Sequence, residues 1–429
     1  MKPKKLFNRN FTLMIIGQII SIFGNVALRF SLSLFILDKT GSAGIFATVL
    51  ALSTIPVILI SPIGGVLADR VSRQKIMYAL DFTTCGIILI LSVFVRGANP
   101  VAVICAAMVI LSIIQCFYQP SVQSSIPLLS SDENLLAANG VVVQVSSVAN
   151  LIGPILGGFL YGFLGIEPIL YICAICFFAS AIMELFIKIP FFKQAASKHI
   201  FKTIVSDLGE GMSFLKLHNK VLLKALLLLA LVNLFISSFI QIGNPVMVKI
   251  FLGLSSEMYG FVEAALGIGS ILGALCVSFL APKKHPGKIT WFLSLTSLSL
   301  IPMVFATFNR NTPYLSYALI LVSTLIGMMF AGVFSVYCQA LMQRCTPPRL
   351  MGKVAAFVTT ICMCCFPIGQ ALYGILFQVL PNKIYFIVIF AVASGIIVSL
   401  FGIKTFEWFD TNRPEDFVKG TKFEEKISK

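Results

Sequence analysis

Residues 64–75, which read GGVLADRVSRQK, join two long apolar runs at 44–68 and 75–95 and overlap the end of the first. About 20 apolar residues are enough for a helix to cross the hydrocarbon core of a bilayer, so each run is long enough to span a membrane. The connection between them is short and carries one acid, Asp69, and three bases. Short connections rich in Lys and Arg collect on the cytoplasmic side. This hairpin 64–75 therefore predicts two antiparallel membrane-spanning helices that meet at the inner surface.

The whole chain has the composition of a membrane protein. It has 429 residues, of which 58% are hydrophobic and 11% are charged, whereas a soluble domain carries about a quarter charged residues. We predict an all-α polytopic membrane protein, because helices satisfy their own backbone groups in lipid. Apolar runs predict twelve spans, at 11–37, 44–68, 75–95, 100–120, 135–164, 168–188, 221–249, 257–281, 289–308, 314–343, 353–379 and 383–406. The first run has no small-residue cleavage site after it, so we expect it to remain as a span.

The distribution of basic residues predicts the orientation of these spans. With the N-terminus inside, 26 of the 32 Lys and Arg residues fall in inner segments and 5 fall in outer turns, while Arg29 lies within a span. This bias predicts a multi-pass protein of the cell membrane with both termini in the cytoplasm. It also explains the net charge of +15. The basic residues face the anionic lipid of the inner leaflet rather than a nucleic acid.

The longest polar connection divides the predicted spans into two sets of six. Weak sequence correspondences at an offset of about 213 residues suggest that the sets are pseudo-symmetric repeats. The stretch 206–215 reads as a short amphipathic helix on the inner membrane surface. The predicted domains are an N-terminal six-helix bundle at 1–190, a cytoplasmic linker with this helix at 191–220, a C-terminal six-helix bundle at 221–406 and a cytoplasmic tail at 407–429.

The hairpin resembles the loop between helices 2 and 3 of the major facilitator superfamily, which reads G-x-L-A-D-R-x-x-R-x-K. The matching residues are Gly65, Leu67, Ala68, Asp69, Arg70, Arg73 and Lys75, whereas Ser72 replaces the usual glycine. The resemblance implies the fold of two six-helix bundles and an inner gate at Gly65, Asp69, Arg70 and Arg73. It also implies that Asp69 lies against the positive N-terminal end of span 11. We expect Asp81, early in span 3, to join this gate by pairing with one of the hairpin's bases.

Span 5 contains ANLIGPILGG at 149–158, which resembles the export-associated motif G-x-x-x-G-P-x-x-G-G of the same superfamily. Ala149 stands in place of the first glycine. Small residues on one helical face let two backbones approach closely, and a proline loosens one hydrogen bond so that the helix can bend. We therefore single out Gly153, Pro154, Gly157 and Gly158 as a helix-packing export motif. The pair Gly269 and Gly273 in span 8 is its predicted partner, and ordinary helix packing is the alternative.

Ionisable residues inside apolar spans are costly and indicate function. Arg29 in span 1 and Glu263 in span 8 are predicted to face one cavity, as an outer gate or as a site for a charged group; a purely structural ion pair is the alternative. Glu184 is predicted to pair with Lys188 four residues later. Amides predicted to line the cavity, or else to bond between helices, are Asn25, Gln115, Asn233 and Gln241. Span 4 lacks the buried arginine of proton-driven relatives, which leaves the coupling ion open.

Short matches at 17–18, 39–43, 117–120 and 210–212 are similar to the branch that holds macrolide-efflux proteins and the enterobactin exporter. This resemblance implies a secondary active exporter of a drug-like or siderophore-like amphiphile. It would work as a monomer by alternating access with cation or proton antiport. The alternatives are an importer or lysolipid flippase of the same fold, or a non-transporting membrane sensor or scaffold. The sequence has no P-loop for ATP hydrolysis, and we expect no enzymatic activity, cofactor, metal or nucleic-acid partner.

Overall fold

The computed structural model describes residues 6–97, 99–190, 209–210, 212–216, 220–280, 289–309 and 311–411. Within these ranges the backbone is almost wholly helical and forms no strand. The side chains of 65–70 lie outside this description, and so do most of the predicted linker and the end of the tail. The described residues include twelve helices or helix combinations that are long and apolar enough to cross a membrane. The predicted fold class and the number of spans are therefore confirmed.

The first six spans are single long helices. Asn8 caps the first of them, since its side chain accepts a hydrogen bond from the Phe11 amide at 3.0 Å. Gly41, with a φ of 59°, ends that helix in the left-handed conformation that glycine adopts without strain. The helices are α1 Arg9–Thr40, α2 Ala43–Arg70, α3 Arg73–Phe94, α4 Pro100–Leu129, α5 Leu135–Leu164 and α6 Ile166–Leu185.

The later spans are less regular. They comprise α7 Lys220–Val232, α8 Ser238–Pro245, α9 Ser256–Leu280, α10 Thr290–Leu298, α11 Ile301–Phe308, α12 Pro313–Cys345, α13 Pro348–Val379 and α14 Ile384–Thr411. Two π-helical segments, Asn233–Ser237 and Val246–Phe251, follow α7 and α8, so that together they form one span over Leu222–Phe251. Helices α10 and α11 together form the span Thr290–Phe308. Single-turn π segments are rare and are frequent at functional sites.

The chain folds into two compact units. The first contains residues 1–200 together with 254–264, which is the beginning of α9, and the second contains 201–253 and 265–429. In the first unit α2 packs on α4, α3 packs on α6, and α1 packs on both α5 and α6. In the second unit α14 packs on α7 and α10, while α13 packs on α7 and α8.

Two apolar clusters form the core of the first unit. One is built around residues such as Leu28, Ile88 and Phe177, and the other around residues such as Phe11 and Val122. On α1, α3 and α6, the residues between the two clusters in sequence include buried polar side chains. The core of this unit is thus interrupted by a polar layer.

The linker prediction is only partly covered by the structure. Residues 212–216 are helical, and Phe214 and Leu215 are buried within the protein, with 4% and 0% of their surface exposed. Glu210 forms an ion pair of 2.6 Å with Lys353 in the same unit. The apolar side of this short helix therefore packs against protein, and its position at the membrane surface stays a prediction.

Candidate functional site

Helix α5 approaches α1 closely at the glycines of the predicted export motif. A Cβ atom added to Gly153 would lie 2.6 Å from Val26 Cγ1, and one added to Gly157 would lie 2.8 Å from the carbonyl oxygen of Ala27. The Ser31 hydroxyl donates a hydrogen bond of 3.1 Å to the carbonyl oxygen of Gly157. The helix continues through Pro154 without interruption. Only glycine fits at these points, as expected for a helix pair held at close distance.

The same face of α5 meets the beginning of α9. A Cβ atom at Gly158 would lie 3.1 Å from Gly260 Cα and 3.2 Å from the carbonyl oxygen of Ser256. Phe159 of α5 also packs edge-on against Phe261, with ring centroids 5.2 Å apart. These contacts lie within the first unit, because the unit includes residues 254–264.

The predicted partner of this glycine face, Gly269 and Gly273, faces α12 inside the second unit. Its contact with α5 stays a prediction. A Cβ atom at Gly269 would lie 2.3 Å from the carbonyl oxygen of Leu325, and one at Gly273 would lie 2.2 Å from that of Met329. The small-residue pattern predicts a close helix contact, but the rotation of α9 about its axis determines which helix its glycines approach.

Arg29 and Glu263 each have a neutral partner. Arg29 is half-buried and donates a hydrogen bond from Nη1 to the Ser112 hydroxyl at 2.9 Å. Glu263 accepts a hydrogen bond from the Tyr259 hydroxyl one turn earlier on α9. Among the described residues no ion pair joins the two side chains. Arg29 thus uses one of its five N–H groups on a serine.

Two stacked aromatic rings, Phe30 and Tyr259, lie near these residues in the chain. The rings of Phe30 and Tyr259 are parallel within 10°, with centroids 5.2 Å apart. The stack thus links the residue that follows Arg29 on α1 to the hydrogen-bond partner of Glu263. The joint role of Arg29 and Glu263 as a gate or binding site stays a prediction.

The four predicted cavity amides divide into two pairs. Asn25 is buried on α1, and Gln115 is half-buried on α4. In the second unit, Asn233 donates to the carbonyl oxygen of Leu229 at 3.0 Å, where the first π segment begins. Gln241 accepts a hydrogen bond of 3.2 Å from Gln370. Gln241 thus links α8 to α13, which is the interhelical alternative.

The hairpin is a turn of two residues between α2 and α3. Helix α2 ends at Arg70 and α3 begins at Arg73. Just before the turn, α2 lies against α4 so closely that a Cβ atom at Gly64 would be 1.8 Å from the carbonyl oxygen of Cys116. Gly65 and Asp69 lie in the last turns of α2 with their side chains outside the description, and Arg73 buries its Nε atom. The contacts of the inner gate stay a prediction.

Asp81 is placed differently from the expectation. It is 2% exposed, and its Oδ1 accepts a hydrogen bond of 3.1 Å from the Ser21 hydroxyl of α1. Within the part of the chain that is described, its Oδ2 has no hydrogen-bond partner and it forms no ion pair. The eight residues from Arg73 to Asp81 amount to about 12 Å along the helix. This separation is too long for the predicted pairing with that base of the hairpin.

Glu184 also has a different partner from the predicted one. It is completely buried and accepts a hydrogen bond of 2.8 Å from the Tyr118 hydroxyl of α4. The predicted pair with Lys188 is wrong because α6 ends at Leu185, so that Lys188 does not follow on the same helical face. A sequence signal for this burial was present, because Glu184 follows Ser180 by one turn on a helix that is otherwise largely apolar.

Comparison with known proteins identifies the family. A family model described as the Major Facilitator Superfamily matches residues 14–369. The chain is 24% identical to Macrolide efflux protein A of Streptococcus pyogenes over 359 residues, which cover 83% of this chain and 86% of that protein. It is 20% identical to Multidrug efflux pump Tap of Mycobacterium bovis (strain BCG / Pasteur 1173P2) over 347 residues, which cover 79% of this chain and 80% of that protein.

Solved structures share the fold. A point mutant of the nucleoside transporter NupG superimposes with a TM-score of 0.71 at 14% identity, covering 93% of this chain and all of that one. A bacterial homologue of the iron transporter ferroportin, in an inward-facing state, gives a TM-score of 0.67 at 16% identity over 92% of this chain and 98% of that one. The family match extends from α1 into α13, and the twelve spans agree with it. The chain belongs to the Major Facilitator Superfamily, a family of transporters rather than enzymes.

Proposed function

We propose that the protein is a secondary active exporter of an amphipathic small molecule. It works by alternating access and exchanges its substrate for a proton or another cation. Two relatives that match about four-fifths or more of the chain are named as efflux proteins, one for macrolides and one for several drugs. Their names support a drug-like or siderophore-like amphiphile as the substrate of this chain.

The observation that carries the proposal is the packing of the α5 glycines. Gly153 and Gly157 meet α1, and Gly158 meets the beginning of α9. Contacts made by small residues over backbone atoms are flat, so they can separate and re-form without rearranging side chains. We infer that residues 256–264 leave and rejoin α1 and α5 during transport, and that this movement opens and closes the outer side.

The residues beside that contact suit an amphiphile. Arg29 presents a guanidinium group, Glu263 presents a carboxyl group, and Phe30 and Tyr259 form a stacked pair of rings next to them. Binding sites for small molecules are largely apolar or aromatic, with a few polar groups that fix orientation. A substrate with a broad apolar surface and one or two polar groups would match this set.

We further propose that the protein lies in the plasma membrane as a monomer, with both termini in the cytoplasm. The 26-to-5 distribution of Lys and Arg supports this orientation. Fusion of a fluorescent protein and of a periplasmic phosphatase to residue 429 tests it. Fluorescence without phosphatase activity is expected, and the opposite result would reverse the orientation.

Transport into everted membrane vesicles tests the export function. The probes are a radiolabelled macrolide and a fluorescent amphiphilic dye, and vesicles without the protein are the control. Accumulation that requires the protein and collapses with the proton gradient is expected. Accumulation that survives collapse of both the proton and sodium gradients would exclude antiport.

Two outcomes would favour the alternative transport functions. Uptake of the probes by right-side-out vesicles, without uptake by everted ones, would indicate an importer. Protein-dependent movement of a labelled lysolipid between leaflets, without dye transport, would indicate a flippase.

A further inference from the structure

Six buried polar side chains from four helices form a group in the first unit; five of them lie between the two apolar clusters, and Tyr118 belongs to the second cluster. Each has at most 2% of its surface exposed. We call this group the buried carboxyl cluster. Its members are Gln18 and Ser21 of α1, Asp81 of α3, Tyr118 of α4, and Ser180 and Glu184 of α6.

Each carboxyl group in the cluster has one hydrogen-bonded oxygen and one open oxygen. Ser21 donates to Asp81 Oδ1 at 3.1 Å, and Tyr118 donates to Glu184 Oε1 at 2.8 Å. Asp81 Oδ2 and Glu184 Oε2 are buried and have no hydrogen-bond partner in the described structure. Both acids reach neighbouring turns of α1, because Ser21 bonds Asp81 and a Cβ atom at Gly17 would lie 3.5 Å from Glu184 Cγ. Two carboxyl groups therefore share one buried region, and one oxygen of each has no hydrogen-bond partner there.

Gln18 adds an open amide to the same layer. It is fully buried, and neither its Nε2 nor its Oε1 has a partner among the described residues. It lies one turn before Ser21, on the helical face that reaches Asp81. The neighbouring Gly17 lies beside α6, since a Cβ atom there would be 3.5 Å from Glu184 Cγ. A buried donor and acceptor without partners, on the face of α1 that reaches Asp81, indicate that the site is built to hold something more.

The charge of the cluster indicates what it holds. Burying an ionised carboxylate is unfavourable unless it is paired, and a second carboxylate nearby adds repulsion. The other titratable group facing the pair is Tyr118, whose hydroxyl is a donor here. Along α3, Cys85 lies one turn beyond Asp81, and Arg73 lies about 12 Å before it. No described base pairs with either acid, so the burial of two neighbouring carboxyl groups favours the binding of a cation.

A proton fits the open atoms best. A protonated carboxyl group gains an O–H donor, and the open acceptors in the same cluster are the other carboxyl group and Oε1 of Gln18. One proton would remove one negative charge and turn one open oxygen from an acceptor into a donor. The clustered oxygens come from side chains on separate helices, so a change in helix packing would alter how tightly the proton is held.

We propose that Asp81 and Glu184 form a proton-binding site inside the first unit, which takes up and releases a proton during the transport cycle. The release step rests on the proposed export function, whereas proton binding does not. The site provides a carboxyl-based means of coupling in a chain whose fourth span lacks a buried arginine. The tyrosine and serine hydroxyls hold the two carboxyl groups in place.

Infrared difference spectroscopy of the full-length protein in lipid nanodiscs tests the binding site directly. Spectra are compared between roughly pH 5 and pH 9, a range wide enough to titrate a shifted carboxyl group. The wild type should lose the carbonyl band of a buried protonated carboxyl group as the pH rises. Asp81→Asn with Glu184→Gln should lack this change. Glu167→Gln, on the same helix but paired with Arg96 in a partly exposed site, should retain it.

Tyr118→Phe provides a second variant that keeps both acids. Removal of the donor disfavours the ionised form of Glu184. The pH at which the band disappears should therefore rise, by about tenfold in proton affinity, since a hydrogen bond to a charged group contributes on this scale. No shift of the transition would overturn the assignment of the proton to this cluster.

Other outcomes separate the site from the export function. An unchanged band in the double variant would overturn the site, even if the wild type exports dye. A pH-dependent band without any dye transport would support the proton-binding site and contradict the export function. Sodium could also stabilise the wild type against heat, but not the double variant, while no carbonyl band is seen. This result would show that the site binds a metal cation instead of a proton, and it would overturn the proposal.

Discussion

The Tyr118 hydroxyl donates a hydrogen bond of 2.8 Å to Glu184 Oε1 and thereby links α4 to α6 in the buried interior of the first unit. Both side chains are at most 1% exposed. A donor to a buried carboxyl group has no water to replace it, so the loss of this bond leaves Glu184 with less support. The bond also fixes the position of the Glu184 carboxyl group in the polar layer.

Tyr118→Phe should lower the free energy of unfolding by about 1–3 kcal/mol, the cost of leaving a buried polar group unsatisfied. Thermal unfolding of the purified protein in detergent measures this. Tyr171→Phe on α6 is the matched control, since Tyr171 is 53% exposed, and it should leave the unfolding temperature nearly unchanged. Equal effects of the two substitutions would show that the Tyr118 bond adds nothing to stability.

Gly157→Ala should destabilise the first unit, because its Cβ atom would lie 2.8 Å from the carbonyl oxygen of Ala27 on α1. Backbone atoms cannot turn aside, so we expect a cost of about 1–3 kcal/mol. Gly140→Ala on the same helix is the control. Gly140 has no neighbour within 4 Å, and alanine favours the helix by up to about 1 kcal/mol. A stable Gly157→Ala protein that transports normally would contradict the close contact of α1 and α5.

Gly64→Ala should have a larger effect. Its Cβ atom would lie 1.8 Å from the carbonyl oxygen of Cys116, so α2 and α4 must move apart. We expect a loss of more than about 3 kcal/mol, beyond the usual range for overpacking, and low yields of folded protein by size-exclusion chromatography. Gly86→Ala on α3, where nothing lies within 4 Å, should be tolerated.

Arg29→Gln should weaken the binding of an anionic amphiphile without unfolding the protein. A charged hydrogen bond contributes about 1.5–3 kcal/mol, which corresponds to roughly tenfold or more in Kd. Binding of a dye that carries a carboxylate, followed by fluorescence, measures this. Ser112→Ala, which removes the serine partner but keeps the charge, should change the affinity much less. Unchanged affinity in Arg29→Gln would assign a structural role to Arg29.

Asp69→Asn should reduce transport while leaving the fold intact. A carboxylate at the N-terminal end of another helix contributes about 0.3–1 kcal/mol, and up to about 2 kcal/mol when partly buried, so the balance between gate states should shift by several-fold. Dye transport into everted vesicles, together with the unfolding temperature, measures both effects. Unchanged transport at normal stability would refute the inner gate at the hairpin.

Local patterns were sufficient to predict much of this protein. The lengths of the apolar runs predicted twelve spans, because the bilayer sets the helix length independently of the neighbours. The hairpin between α2 and α3 was recognisable, since its residues are contiguous. The glycines of α5 predicted a close helix contact, because only small residues allow backbones to approach in this way.

Such local patterns do not predict the hydrogen-bond partners of the buried polar side chains. Ser21 and Asp81 are 60 positions apart, and Tyr118 and Glu184 are 66 positions apart. Sequence spacing suggested a hairpin base for Asp81 and Lys188 for Glu184, because it compares only residues that are near in the chain. The end of α6 at Leu185 separates Glu184 from Lys188, and the tertiary packing gives Asp81 a partner on α1 and Glu184 a partner on α4.

The sequence by itself determined that the chain spans a membrane twelve times and which faces of its helices are small or polar. The tertiary structure alone decided which helix each face meets, as for Gly273, which lies against Met329 of α12. The physical reason is that hydrophobic length and residue size act within one helix. The rotation and neighbours of each helix depend instead on the packing of all the others together.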